Sequence, residues 1–158
     1  MSKNDLKAAD YAALAEFRYH IRRFLHFSEQ AARRTGVEPQ QHQLMLATRA
    51  VGGEQGARIA DLAERLQIQH HSAVELISRL EEKDLIQRNR GAADRREVYV
   101  SLTPRGERVL RELTLHHREE LRSAAPALIT ALRRVAASSA RTGPRRGPKR
   151  YAASKEKA

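Results

Sequence analysis

Four arginines, Arg88, Arg90, Arg95 and Arg96, fall within nine residues, around the turn sequence Gly91-Ala-Ala-Asp94. Guanidinium groups gathered on a thin ribbon suit a polyanion. They can follow a line of phosphates and enter a minor groove, whose negative potential attracts arginine. Asp94 beside such a ligand is a liability unless it has a structural task. The expected task is to pair with Arg96 and hold the turn rigid. Upstream lies a second polar set: His70, His71, Ser72, Glu75, Ser78 and Arg79. On a helix over 71–84 whose buried face is Val74, Ile77 and Leu80, positions 71, 72, 75, 78 and 79 turn away from that face, with His70 at the entry. Ser72 can bond phosphate or base, Glu75 can accept from cytosine N4, and Arg79 suits phosphate or guanine. Plainer uses exist for each. Ser72 can cap the helix, Glu75 and Arg79 can form an i,i+4 surface pair, and four arginines can decorate an ordinary charged hairpin.

The elements that must hold these side chains follow from apolar spacing. Ile59, Leu62, Ala63 and Leu66 share one face of a short helix. Gln67-Ile68-Gln69 interrupts it before the helix at 71–84. Two short helices with such a turn are a helix-turn-helix. Leu85–Arg90 and the alternating Val98-Tyr-Val100-Ser-Leu102 then read as the two strands of a hairpin, with the arginines toward its tip. Thr103, Pro104 and Glu107 are an N-cap, a first-turn proline and a first-turn acid, so they open another helix. It is expected to run to about residue 122, with a last helix over 126–139 starting near Pro126. Residues 40–51 form a further helix, and Gly52–Gly56, with three glycines in five residues, form a loop.

Residues 5–34 read as one long helix. Leu14, Phe17, Ile21 and Phe24 are spaced 3-4-3, the seam of a helix packed on another helix. Its length of about 45 Å exceeds what the rest of so small a domain can cover. It is therefore expected to be a dimerisation element, ended by Gly36 with Pro39 shortly after.

The chain has 158 residues, one ordinary domain's worth, and a formal net charge of +11. That balance favours nucleic acid as partner, with an anionic surface second. The charge is uneven. Residues 141–158 hold seven Lys/Arg and one Glu, so more than half of the excess lies in a Gly-Pro-interrupted stretch without apolar periodicity. Residues 140–158 are expected to be a disordered basic tail, either a mobile phosphate-binding arm or a solvated end without a dedicated role. Cysteine is absent, which excludes disulfides, thiolate metal sites and cysteine nucleophiles. No glycine-rich phosphate loop or nucleophile motif points to an enzyme, and no cofactor is expected. Neither a membrane-length apolar run nor a signal sequence is visible, so a cytoplasmic protein without a membrane partner is expected.

Residues 59–110 resemble the MarR family of bacterial winged-helix transcriptional regulators. The resemblance rests on four features: the Leu62-Ala63 pair, the exit Arg79-Leu-Glu-x-Lys-x-Leu-Ile-x-Arg88, the wing sequence Asp94-Arg95-Arg96, and Leu102-Thr-x-x-Gly106. Together, in this order and spacing, they are specific. Asp84 stands where the family usually has glycine, at a position that often takes a left-handed backbone. The helical flanks extend the likeness to about residues 10–138. The resemblance implies a mainly α fold with a small β-hairpin wing: a winged helix-turn-helix flanked by N- and C-terminal dimerisation helices. In the single domain of residues 5–139, the dimerisation helices would be about 5–34 and 104–139, and the DNA-binding part about 40–103.

It also implies a homodimer on a pseudo-palindromic double-stranded DNA operator, usually a repressor, often released by a small phenolic or anionic effector. Leu14, Phe17, Ile21, Phe24, Leu128, Leu132 and Val135 would lie in the dimer interface. Carried onto the wing, Asp94 would brace the turn against Arg96, leaving Arg90 and Arg95 as the stronger DNA contacts. A ligand pocket would draw on Phe17, His20, Phe24, His42, Leu113 and His117, unless the histidines are solvated or at the edge of the core. Some relatives sense zinc, but adjacent His116 and His117 point about 100° apart on a helix and cannot easily join His42 in one site, so no metal is expected. Two other functions stay open. One is a general nucleoid-type binder driven by charge and tail, and the other a ligand-binding module that has lost DNA binding.

Overall fold

The apolar seam at the start of the chain produces a 27-residue helix, α1 (Ala8–Arg34). The computed structural model describes residues 6–91, 94 and 96–140. The expected basic tail therefore lies almost wholly outside the described residues. The helix closes at Thr35, and Gly36 takes φ +76°, a left-handed conformation glycine adopts without strain. This lets the buried Val37 return its N–H to the Ala32 carbonyl at 3.1 Å. Next comes α2 (Pro39–Val51), with proline in its first turn. The Gln41 side chain reaches back to accept from the Glu38 N–H at 3.1 Å.

After the glycine loop come β1 (Ala57–Arg58), α3 (Ile59–Leu66), α4 (His70–Glu82), β2 (Ile86–Arg90), β3 (Val98–Leu102) and α5 (Pro104–Ala140). The strands form an antiparallel sheet in the order β1-β3-β2, with Val100 opposite both Ala57 and Arg88. The third strand is an addition to the expected hairpin. Two residues are too few to show a period, and pairing with β3 is what makes them a strand.

The helix-turn-helix packs on this small sheet and on α2. Leu44, Met45, Leu62, Ile77, Leu80, Ile86 and Val100 form a fully buried core, each Leu or Ile contributing roughly 1.5–3 kcal/mol by removal from water. Left-handed Gln67 (φ 54°) ends α3, and left-handed Asp84 (φ 54°) ends the exit from α4. Thr103 caps α5, its Oγ1 accepting from the Gly106 N–H at 3.0 Å and donating to the Asp84 carbonyl at 2.7 Å. Gly106 has no room for a side chain, since a Cβ would sit 1.9 Å from the Leu85 carbonyl oxygen.

The expected break before a last helix is absent. Helix α5 runs unbroken through Pro126. The proline ring is exposed, and the Arg122 residue whose carbonyl loses its partner is exposed too, so the freed group lies where solvent can reach it. Helix α1 packs along α5. Even so, Leu14, Leu25, Leu121, Ile129 and Leu132 on the two helices stay 38–49% exposed. Phe17, Ile21, Phe24, Leu128 and Val135 are half-buried.

Candidate nucleic-acid interface

Helix α4 begins at His70, one residue before the expected start, with Gln69 as N-cap. Ser72 is thus inside the first turn and does not cap. The buried stripe is Ala73, Leu76, Ile77 and Leu80, while Val74, expected among the buried residues, is only half-covered. His70, His71, Glu75 and Arg79 are exposed. The open N-terminal turn therefore offers two imidazoles and the Ser72 hydroxyl beside backbone N–H groups, an arrangement suited to phosphate or base edges. Glu75 and Arg79 form the i,i+4 pair. Ser78 turns inward and donates to the Val74 carbonyl at 3.0 Å.

The wing arginines divide into two kinds. Arg88 is directed back at α4: its guanidinium pairs with the Glu81 carboxylate and donates to Ser78 Oγ at 2.9 Å. Arg90 and Arg96 are exposed, and no ion pair engages either among the described residues. Arg95 lies outside the described residues. Asp94 braces the turn through the backbone, with Oδ1 accepting from the Arg96 N–H at 2.8 Å. The described residues show no ion pair between the two side chains. The bracing is therefore an aspartate turn of the common local kind, and it leaves the Arg96 guanidinium uncommitted.

Further bonds tie the wing to its base. Asn89 Nδ2 donates to Ser101 Oγ at 2.7 Å across the strands. Tyr99 donates to Glu97 at 2.6 Å, and this bond pushes the phenol pKa up, with loss of hydration and the Glu97 charge adding to it. Arg58 of β1 hydrogen-bonds Tyr99, which raises the arginine's own pKa. Nothing in the sequence marks Arg58 as part of the wing, because its link runs through β1.

Lys83 is the other residue that sequence reasoning misses. It follows α4 and donates to the Gly36 carbonyl at 2.9 Å and to Gln41 Oε1 at 3.0 Å. Arg105 holds the Lys83 carbonyl at 2.7 Å. The end of α4 is thereby clasped to the α1–α2 corner and to the start of α5.

A cavity of about 550 Å³ opens between α1, α2 and α5, bordered by Phe24, His42, Leu46, His117, Arg118 and Leu121. Of the expected pocket residues, Phe24, His42 and His117 meet here. Leu113 is buried just below, and its carbonyl lies 2.6 Å from His117 Nδ1, so that nitrogen carries the proton. His117 Nε2 lies 2.7 Å from Ser28 Oγ, and its ring is 4.8 Å from that of His42. Burial, and next the neighbouring His117, lower the His42 pKa to about 4. Phe17 and His20 do not line the cavity. They sit nearer the start of α1, where His20 bonds Glu16 at 3.1 Å. Among the described residues no cluster of three His, Asp or Glu side chains is arranged to hold a metal ion, and no helix is long and apolar enough to cross a membrane.

Residues 35–97, from the α1–α2 corner through the wing tip, match the model of the MarR family. Over that stretch the chain is similar to the MarR family. A Bacillus subtilis HTH-type transcriptional regulator, YsmB, is 33% identical over 64 residues, which are 40% of this chain and 44% of that one. The matching stretch thus spans less than half of that relative. Among solved MarR-like structures, an S. aureus MepR F27L mutant bound to an oligodeoxyribonucleotide superposes with a TM-score of 0.61 at 21% identity, covering 77% of this chain and 84% of that one. Bordetella bronchiseptica BpsR, whose DNA binding is regulated by 6-hydroxynicotinic acid, gives 0.57 at 22% identity over 75% and 94%. At these identities the likeness to MepR and BpsR is one of fold.

Proposed function

We propose that this chain is a regulator of the MarR family: a homodimeric, sequence-specific DNA-binding repressor of the cytoplasm, released from a pseudo-palindromic operator by a small aromatic anion. The observation that carries the reading is the wing itself. Arg88 is paired with Glu81, while Arg90 and Arg96 stand exposed beside an open-ended α4, with no ion pair engaging either among the described residues. Charges left uncommitted in that place are available to phosphate. A MarR-fold protein bound to an oligodeoxyribonucleotide supports the same use of the fold.

The exposed leucines of α1 and α5 support the dimer, since a second copy would remove them from water. An apolar cavity with histidines and Arg118 at its border favours an aromatic carboxylate or phenolate. The regulation of BpsR by 6-hydroxynicotinic acid supports that class of effector.

The test starts by selecting bound sequences from a random DNA pool. The selected site is then competed against random DNA, with and without residues 141–158. A regulator yields half-sites about one helical turn apart and a clear preference for them. Affinity should fall roughly 10³–10⁵-fold from 50 to 200 mM salt if about 6–10 phosphates are engaged. Equal affinity for both DNAs, abolished by removing the tail, would instead identify a general nucleoid-type binder. No binding at all would leave the ligand-binding module. Replacing Arg90 and Arg96 with alanine should weaken binding to every sequence and reduce the salt slope by about two.

A further inference from the structure

The wing and α4 are joined by the short turn at Lys83–Leu85, whose Asp84 sits in the left-handed region at φ 54°. Such a turn sets a direction but does not by itself fix the angle between a helix and a ribbon. One side chain spans it. The Arg88 guanidinium, from the middle of β2, pairs through one terminal nitrogen with the carboxylate of Glu81, in the last turn of α4. The other terminal nitrogen donates to Ser78 Oγ at 2.9 Å and lies 3.4 Å from the Val74 carbonyl. The Arg88 backbone N–H adds a bond to Glu81 Oε1 at 3.2 Å. The contacts therefore cover two turns of α4. Both side chains are about two-thirds shielded, at 29% and 38% exposure, so water weakens the pair less than it would a surface ion pair.

We propose that Arg88 is a positioning residue, which together with Glu81 locks the wing to the recognition helix so that both meet DNA at one fixed angle. This rests on the DNA-binding reading above and deepens it. To reach a phosphate, Arg88 would have to abandon Glu81, Ser78 and the Val74 carbonyl together, leaving a half-buried carboxylate without its partner. Arg90, two residues on, engages no ion pair among the described residues and needs no such rearrangement. Once the lock is lost, the wing and α4 can still touch phosphates separately. What suffers is simultaneous, register-dependent contact, and hence the preference for one site over random DNA.

The experiment uses the full chain and the variants Glu81→Ala, Arg88→Ala and their double, with Glu81→Gln and Arg88→Lys as milder companions should an alanine variant unfold. Affinities for the selected site and for random DNA are measured over a salt series. The two single variants are expected to lose the same amount of site preference, about tenfold. The double variant should lose no more than either single one, and the salt slope should stay that of the wild type. Arg88→Lys should not rescue, because an ammonium cannot span Glu81 and Ser78 as the planar fork does.

A slope reduced by about one in Arg88→Ala, with Arg88→Lys close to wild type, would make Arg88 a phosphate contact and overturn the proposal. So would a Glu81→Ala variant that binds DNA more tightly than wild type, since it would show a released arginine finding phosphate. A wild-type chain that does not prefer its selected site would sink the regulator reading itself, and the positioning role with it. The wild-type measurement therefore separates the two failures.

Discussion

His42 makes the protein acid-sensitive in a way that can be measured without knowing its ligand. It is 5% exposed, faces the His117 ring, and has Arg118 at the border of the same cavity. Its folded pKa is about 4, against 6.5 for a free imidazole. Above pH 6.5 both the folded and the unfolded chain hold it neutral, and its contribution to stability is complete. As pH falls through 6.5 the unfolded chain takes up a proton that the folded chain resists, so stability is lost. The loss levels off near pH 4, where the folded form is protonated as well. Between pH 7 and 5 the unscreened loss is about 2 kcal/mol. The ring borders a cavity open to the surface, where screening by solvent would bring the figure closer to about 1 kcal/mol, or roughly 2–4 °C in Tm for a chain of this size. The assay is thermal or urea unfolding of wild type and His42→Leu from pH 7.5 to 4.5. The two stabilities should diverge as the medium is acidified, with wild type falling faster. An NMR titration should show the His42 ring unprotonated at pH 5.5. Parallel stability curves, or a His42 ring that titrates near 6.5, would refute the reasoning.

Three further outcomes are expected. Lys83→Met removes the clasp on Gly36 and Gln41; it should cost about 1–2 kcal/mol in urea unfolding, from the two lost charge-assisted hydrogen bonds, the Gln41 oxygen keeping its bond from the Glu38 N–H, and a cost below about 0.3 kcal/mol would show the clasp to be ornamental. Gly106→Ala forces a Cβ to within 1.9 Å of the Leu85 carbonyl, so it should destabilise by about 3 kcal/mol or more and move the start of α5 away from the sheet, with wild-type Tm the contrary result. Pro126→Ala restores a backbone N–H inside α5 and should raise Tm, by an amount corresponding to as much as about 3 kcal/mol; a lower Tm would mean that the proline serves a bend that the packing of α5 needs.

Much of the fold is legible because its signals are periodic. The 3-4 seam of α1, the alternation of β3 and the Thr103-Pro104-Glu107 opening of α5 each appear where expected. The expected break at Pro126 fails, and the capping alternative for Ser72 drops out, for one shared reason. Local preference makes Pro126 a divider between helices and gives Ser72 the option of capping one. In both cases the packed environment prevails: α5 continues because its solvent-facing side can lose one bond, and α4 starts at His70 because the turn from Gln67 ends there. Strand β1 is invisible to sequence reasoning, since its two residues acquire their conformation from a partner more than forty residues away.

The candidate site is legible as a set of charges but not as a division of labour. Spacing alone makes Arg88, Arg90, Arg95 and Arg96 equivalent. What separates Arg88 is Glu81, seven residues earlier and on another element, and no local pattern marks that pairing. The same limit applies at the start of α2. Gln41 and His42 are adjacent and both buried, yet they face different partners: Gln41 holds Lys83 at the end of α4, and His42 borders the cavity beside His117. Neighbouring residues on a helix point about 100° apart, so one short stretch of backbone carries both connections. Under the proposed function, an effector that fills the cavity and displaces that stretch would act on the clasp of α4 through a single rigid turn. Lys83→Met should therefore weaken the effect of an aromatic anion on DNA affinity even where DNA binding itself survives. An effector response unchanged in that variant would place the coupling on α1 and α5 instead.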